Sequence, residues 1–406
     1  MKFREKKKIA LVLSGGGIKA AAFHIGVCLA LREKGFSFAG GSPAEVENNF
    51  PIDGNPLTIR SYVGSSAGSV ISTFLAAGYS VEAIIEAFER GVRTDLDKLK
   101  RGNTEQQQFN RLKAITYRDI FHLNGGSFVN FVPNFMRRKS IVTGGLEALV
   151  KNGFKIDGLF TTRGLEKYFR RNVWPQNRFD SLGVELYVIA TQLNHSRKVV
   201  FGNFETTTKI KTIKYANYSS ISEAVAASAS LPPVFSPFKI RNQKGKELFF
   251  FDGEIRDTLS THVAADHGAD LVISSYSIQP YHYTKELGSL SNYGIPMIIN
   301  QALYQVIEQK IQKHKEFQGQ IKSIIKAVDG YSKQVGLPEE HRDKMIEIIT
   351  SRVNFQKDTD YMYIHPSPLD HEMFFVDHFS LNPKILQRIV HIGFKSALAE
   401  LRKHDL

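Results

Sequence analysis

Ser66 lies in the run Gly64-Ser65-Ser66-Ala67-Gly68. This is the G-x-S-x-G spacing that holds a serine on a sharp turn between a strand and a helix. Side chains on both flanks of such a turn would collide, so glycines stand there. The hydroxyl is then exposed at the end of the sheet, over the positive N-terminus of the next helix. Five residues alone also fit a loop of small residues, so the flanks matter. Leu57 to Val63 is rich in β-branched and aromatic residues and reads as a strand. Ala67 to Ala77 reads as a buried helix ended by Gly78. In that setting Ser66 is a candidate nucleophile, and Gly64, Ser65, Ala67 and Gly68 are its turn.

A second group could act beside it. Ile9 to Leu13 is an apolar strand that runs into Ser14-Gly15-Gly16-Gly17, and a nearly apolar helix follows from Ile18 to Glu33. Glycines between strand and helix fit a dinucleotide site, which needs G-x-G-x-x-G and an acidic residue at the end of a second strand. Here Ala20 takes the last position, and Phe36 to Pro56 reads as a Gly- and Pro-rich loop. They also fit an oxyanion hole, because bare amides at a helix N-terminus can hold a developing negative charge. Beside a G-x-S-x-G serine the second reading gains, with Gly15, Gly16, Gly17 and Ile18 as the donors. Lys19, in the first helical turn, is expected to face solvent.

These groups need a scaffold. Val184 to Ala190 reads as a strand with a hairpin partner at Val199 to Phe201, and Ile221 to Ser230 as an Ala- and Ser-rich helix. Glu247 to Phe251 is a strand running into Asp252-Gly253-Glu254, and Asp270 to Ser275 is another. Strands alternating with helices imply an α/β fold, a mostly parallel central sheet with helices on both faces. Sites in such sheets form beyond the carboxyl ends of the strands. The triple glycine, Ser66 and Asp252 each follow a strand directly, so all three fall on one rim. After about residue 285 the chain turns helical and charged, at Ile295 to Ile325, Glu339 to Val353 and Asn382 to Lys403. The expected division is a catalytic domain over 1–280 and a mainly helical region over 281–406 that carries no readable motif.

With 406 residues and ordinary apolar content the chain can bury a large core. Its one cysteine, Cys28, sits in an apolar run and rules out a disulfide within the chain. Lys6-Lys7-Lys8 and the five apolar residues after it imitate a signal peptide but are too short for one. No run of about 18 apolar residues offers a spanning helix. A cytoplasmic protein is expected. The net charge of +13 suits an anionic partner, but no nucleic-acid-binding motif accompanies it. Phe128, Phe131 and Phe135 lie beside Arg137-Arg138-Lys139. That patch is either a lid on the core or a surface touching an anionic membrane.

The residues quoted above resemble the patatin-like phospholipase family. The matching elements are Gly15-Gly16-Gly17-Ile18-Lys19, Gly64-Ser65-Ser66-Ala67-Gly68 and Asp252-Gly253, and Leu231-Pro232-Pro233-Val234-Phe235 is similar to a further block of it. The resemblance covers roughly residues 8 to 280. It implies a three-layer α/β/α fold and hydrolysis of lipid acyl esters, of phospholipase A or lysophospholipase type, without cofactor or metal. It implies Ser66 as nucleophile, Asp252 as its base and an oxyanion held around Gly16 and Gly17. Lys19 and Gly253 would support the site. Two positions depart from the pattern: Ala20 stands where glycine is usual, and Glu254 where Ala or Gly is usual. Glu254 is expected to point to solvent.

Two other readings compete. A conventional Ser-His-Asp esterase would run Ser, Asp, His along the chain, and His262, His267 and His282 follow Asp252. Neither these nor His24 is expected to be a catalytic base. A non-catalytic nucleotide-binding protein would use the triple glycine, but lacks the acidic partner.

Overall fold

A computed structural model describes residues 3–98, 112–123, 157–195, 197–210, 212–256, 258–353 and 355–404. The Phe128 to Lys139 patch lies outside them. The first strand sets the architecture. All of β1 (Ile9–Leu13) is buried, but Ile9, Leu11 and Leu13 enter one apolar core while Ala10 and Val12 enter another. A strand apolar on both faces belongs in the interior of a sheet covered on both sides, and β1 lies there.

Its neighbours are β3 (Thr58–Ser65) and β12 (Leu271–Ser275), both parallel to it. Beyond β12 comes β13 (Asp360–Ile364), and beyond β3 comes β6 (Glu185–Gln192), also parallel. The two-residue β2 (Ser37–Phe38) pairs with the start of β3. Past β6 the sheet turns mixed through β7 (Arg197–Phe201), β9 (Ile213–Ala216) and β8 (Thr208–Ile210). A hairpin of β10 (Phe238–Arg241) and β11 (Glu247–Asp252) joins β6 through β11. A separate pair, β4 (His122–Leu123) and β5 (Phe160–Thr161), stands apart.

Helices cover both faces, as the sequence pattern implies. On one side lie α1 (Gly17–Glu33), α2 (Pro43–Asn49), α3 (Ala67–Ala76) and α4 (Val81–Lys98). With them come the shorter α5 (Tyr117–Ile120), α6 (Arg163–Tyr168) and α7 (Ile221–Ser228). The other face is covered by α8 (Thr261–Asp266) and by Ile311 of the 40-residue α9 (Ile295–Gln334). Then follow α10 (Glu339–Val353), α11 (Glu372–Phe375) and α12 (Pro383–Arg402).

The C-terminal region does more than add helices. It supplies β13 as a strand of the central sheet. Helix α12 also packs along α1 at very short range. A Cβ on Gly26 would stand 2.0 Å from the Val390 carbonyl oxygen, and one on Gly393 would stand 2.2 Å from that of Phe23. The stretch from Phe36 to Pro56, expected to be loop, contains β2 and α2. Ser42 caps α2 in a reciprocal box with Glu45, and Pro43 opens its first turn.

Candidate active site

The turn at Ser66 is as tight as its glycines require. A Cβ on Gly64 would stand 2.4 Å from the Ser69 Cα, and one on Gly68 would stand 2.1 Å from the Leu13 carbonyl oxygen. Strand β3 ends at Ser65 and α3 begins at Ala67, so Ser66 alone makes the corner. It does so at φ 51° and ψ −123°. A non-glycine residue held there is strained, and such strain persists only where its surroundings enforce it. The enforcement is visible. The Ser66 amide donates to Ser228 Oγ (2.8 Å), and that hydroxyl donates to the Ile189 carbonyl of β6 (2.6 Å). The Ser66 carbonyl accepts from the amide and hydroxyl of Ser69.

Strand pairing brings Asp252 to this corner. One edge of β6 carries β7. The other carries β3 as far as Ser65 opposite Ile189, and from the next residue it carries β11, with Asp252 opposite Ala190. The two strands thus meet end to end along β6, and the residues at their junction are Ser65 and Asp252. The Ser66 hydroxyl lies beside the Asp252 carboxyl and favours its charged form, and Asp252 Oδ1 accepts the Glu254 amide (2.9 Å). Asp252 is fully buried. Burial pushes its pKa up to about 6, against the pull of the Ser66 hydroxyl and the Glu254 amide.

The glycine loop packs on the same corner. A Cβ on Gly15 would stand 2.8 Å from the Ser66 Cβ and 2.4 Å from the Glu254 Cγ. Among the described residues, the turn and cap hydrogen bonds use none of the Gly15, Gly16 and Gly17 amides as donors. Ile18 follows in α1 and lines the cavity described below. Gly253 lies against Ser65 Oγ and the Ile189 carbonyl, where a Cβ would not fit.

Two expectations are corrected here. Glu254 does not face solvent: the 3-10 turn Gly253–Ile255 carries its side chain inward against Gly15, and it is buried. Lys19 does not face solvent either, because the C-terminal region covers the first turn of α1. Lys19 is 1% exposed; its Nζ donates to the Tyr304 hydroxyl (2.9 Å) and the Met373 carbonyl (2.6 Å). Burial brings its pKa down to about 7, offset in part by Asp377.

Tyr304 continues the chain of bonds. Its hydroxyl meets His378 Nε2 (3.0 Å), and His378 Nδ1 meets the Gly16 carbonyl (3.2 Å). Burial lowers the His378 pKa to about 4, so the ring is neutral. One proton arrangement satisfies every group. Lys19 donates to Tyr304, Tyr304 donates to Nε2, and Nδ1–H donates to Gly16. The Lys19 amide also donates to the His378 carbonyl (3.3 Å), and a Cβ on Gly17 would stand 2.5 Å from that oxygen. The glycine loop is therefore clamped by residues far along the chain, which no motif in the sequence marks.

An apolar cavity opens at Ser66. The cavity and the open space before it together measure about 720 Å³. Its walls include Ile18 and Ala21 of α1, Val70 and Phe74 of α3, Leu165 of α6, and Phe235. Ser66 belongs to a lining that is otherwise almost wholly hydrocarbon.

The histidines lie elsewhere. His24 is buried between Ser275 Oγ (2.7 Å) and the Ser14 carbonyl (2.9 Å), where burial lowers its pKa to about 4. It braces the strand ends under the glycine loop. His267 bonds the Val263 carbonyl within α8, and His282 lies beside Gln279. His262 is in contact with Lys198. Among the described residues no histidine hydrogen-bonds Ser66 or Asp252, no cluster of three or more His, Cys, Asp or Glu could hold a metal, and no helix is long and apolar enough to cross a membrane.

Comparison with known proteins gives one strong likeness. The sequence profile of the family described as "Patatin-like phospholipase" matches residues 11–265, more than half of the chain. Among solved structures, the chain is similar to one in the heterodimeric ExoU-SpcU complex from the type III secretion system of Pseudomonas aeruginosa. The two are 22% identical, the match covers 57% of this chain and 37% of that one, and the TM-score is 0.22. This chain thus spans well under half the length of that structure. No curated protein sequence matches it.

Proposed function

The chain belongs to the patatin-like phospholipase family, and from that premise we propose that it is a serine lipid acyl hydrolase, of phospholipase A or lysophospholipase type, working through Ser66 and Asp252. Asp252 takes the Ser66 proton as the hydroxyl oxygen attacks the ester carbonyl. A serine hydroxyl needs such a base within hydrogen-bond reach to be a useful nucleophile. The oxyanion forms against the amides of the glycine loop, which have no other acceptor in the turn. When the tetrahedral intermediate collapses, the C–O bond to the leaving alcohol breaks and Asp252 returns the proton to that oxygen. Water then attacks the acyl-enzyme, Asp252 takes a proton from it, and the free fatty acid leaves as Ser66 is restored. The acyl chain occupies the apolar cavity beside Ser66.

One observation carries the reading. The junction of β3 and β11 on a single edge of β6 sets a strained serine against a buried carboxyl whose pKa lies near neutrality. A general base is most effective when its pKa lies close to the working pH. Labelling with an alkyl fluorophosphonate tests the reading. The wild-type chain should gain one phosphonyl group, mapped by peptide mass spectrometry to Ser66, and Ser66→Ala should gain none. An adduct on another residue, or a folded wild-type chain that resists labelling, would count against it.

A further inference from the structure

The first three turns of α9 carry an apolar stripe that faces outward. Ile295, Ile298, Ile299, Leu303 and Val306 recur at helical spacing and fall on one face. All five are exposed, from 48% at Ile298 to 72% at Ile295. A single exposed aliphatic residue is ordinary, but five in one continuous stripe mark a surface that meets something apolar.

The same face then becomes basic. At about 100° per residue, Lys310 and Lys313 continue the stripe, and both are exposed. Glu308 is the one acid between Ile295 and Lys313. It lies about 200° around the helix from Val306, off the stripe. The buried side of these turns carries Tyr304, which bonds Lys19 and His378 beside the glycine loop. Among the described residues the helix is thus anchored to the catalytic corner by one face and exposes the aliphatic stripe on the other, where Lys310 Nζ also donates to the Ile255 carbonyl (3.5 Å).

We propose that this face of α9 docks the protein on an anionic phospholipid bilayer. The aliphatic stripe enters the boundary between headgroups and acyl chains, and Lys310 and Lys313 lie among the anionic headgroups. Apolar and cationic residues following one another on one helical face fit that surface, as does the chain's net charge of +13. The proposal rests on the hydrolase reading, since a lipid hydrolase must meet its substrate in a bilayer.

Vesicle sedimentation tests it. Ser66→Ala protein, which leaves the lipid intact, is mixed with vesicles of phosphatidylcholine alone or with phosphatidylglycerol added. Binding should favour the anionic vesicles. Ile298→Asp with Leu303→Asp should lower it at least about tenfold. Lys310→Glu with Lys313→Glu should abolish the anionic preference, each lysine being worth roughly fivefold. In the Ser66 background, both pairs should leave turnover of a soluble short-chain ester within about twofold, with unchanged circular dichroism. Undiminished vesicle binding by both pairs would overturn the proposal. So would a dimer by light scattering that Ile298→Asp with Leu303→Asp splits into monomers while vesicle binding stays intact. Soluble-ester turnover by the wild type tests the hydrolase reading separately. Its absence beside the expected vesicle binding would remove that reading and leave the docking face standing.

Discussion

Asp252 carries the residue-scale account: on the proposed mechanism its environment governs the rate, and its burial bears on stability. Burial raises its pKa from 3.8 to about 6, so it is ionised and able to accept a proton at neutral pH. Below about 6 it is protonated, and kcat/KM for a soluble ester should fall about tenfold per pH unit. The same shift has a stability sign. The folded chain holds this proton up to about pH 6, the unfolded chain only to about 4. Stability from this group therefore rises as pH falls between those values and is lowest once Asp252 is ionised. At pH 8 the buried charge costs up to about 3 kcal/mol. Asp252→Asn keeps the shape without the charge. It should melt a few degrees above wild type at pH 8, with the margin shrinking by pH 4.5. An Asn variant that melts lower than wild type at pH 8 contradicts this account of the site. That Ser66, Asp252 and the three glycines fall at strand ends was legible in the sequence. The burial of Lys19 and Glu254 was not, because whether a charged side chain in a first helical turn is buried depends on what packs over it.

At the scale of elements, the glycine loop is shaped by α9 and the segment after α11. Tyr304 accepts from Lys19 and donates to His378, whose ring holds the Gly16 carbonyl. Removing only the Tyr304 hydroxyl, as in Tyr304→Phe, breaks this relay and leaves the ring packed. The amides that would meet the oxyanion then lose their fixed orientation. A misplacement of about 1 Å can cost up to about a hundredfold in rate. Tyr304→Phe should therefore lower kcat by between about ten- and a hundredfold with little change in KM, while fluorophosphonate labelling at Ser66 persists more slowly. An unchanged kcat would mean that the relay plays no part in positioning. Sequence reasoning found the strand–turn–helix around Ser66 because its turn chemistry is local. It missed α2, although Ser42 and Glu45 stand at capping-box spacing before it, because the surrounding glycines and prolines read as loop. It could not find the relay, whose members meet only after α9 and the C-terminal segment pack against α1.

The whole molecule joins its two ends through α1 and α12. Gly26 and Gly393 let these helices approach until each glycine touches the partner's backbone. Gly393→Ala should lower stability by at least about 1–3 kcal/mol. Thermal unfolding would read this, and an unchanged melting temperature would show that the helices can part without cost. The sheet's parallel centre and two apolar faces were legible from alternating strands and helices. The place of β13 was not, because a five-residue strand at the far end of the chain has no local signal tying it to β12. Ser66 and Asp252 likewise meet only through the pairing of β3 and β11 along β6, so their partnership tests fold and site together. The most direct measurement is hydrolysis of a soluble ester by folded Ser66→Ala, Asp252→Asn and the double variant. Two groups that act as a unit should not lose rate additively. All three variants are expected at one common residual level, with kcat at least about a thousandfold below wild type. A folded Asp252→Asn that retains kcat within about tenfold of wild type would contradict the account.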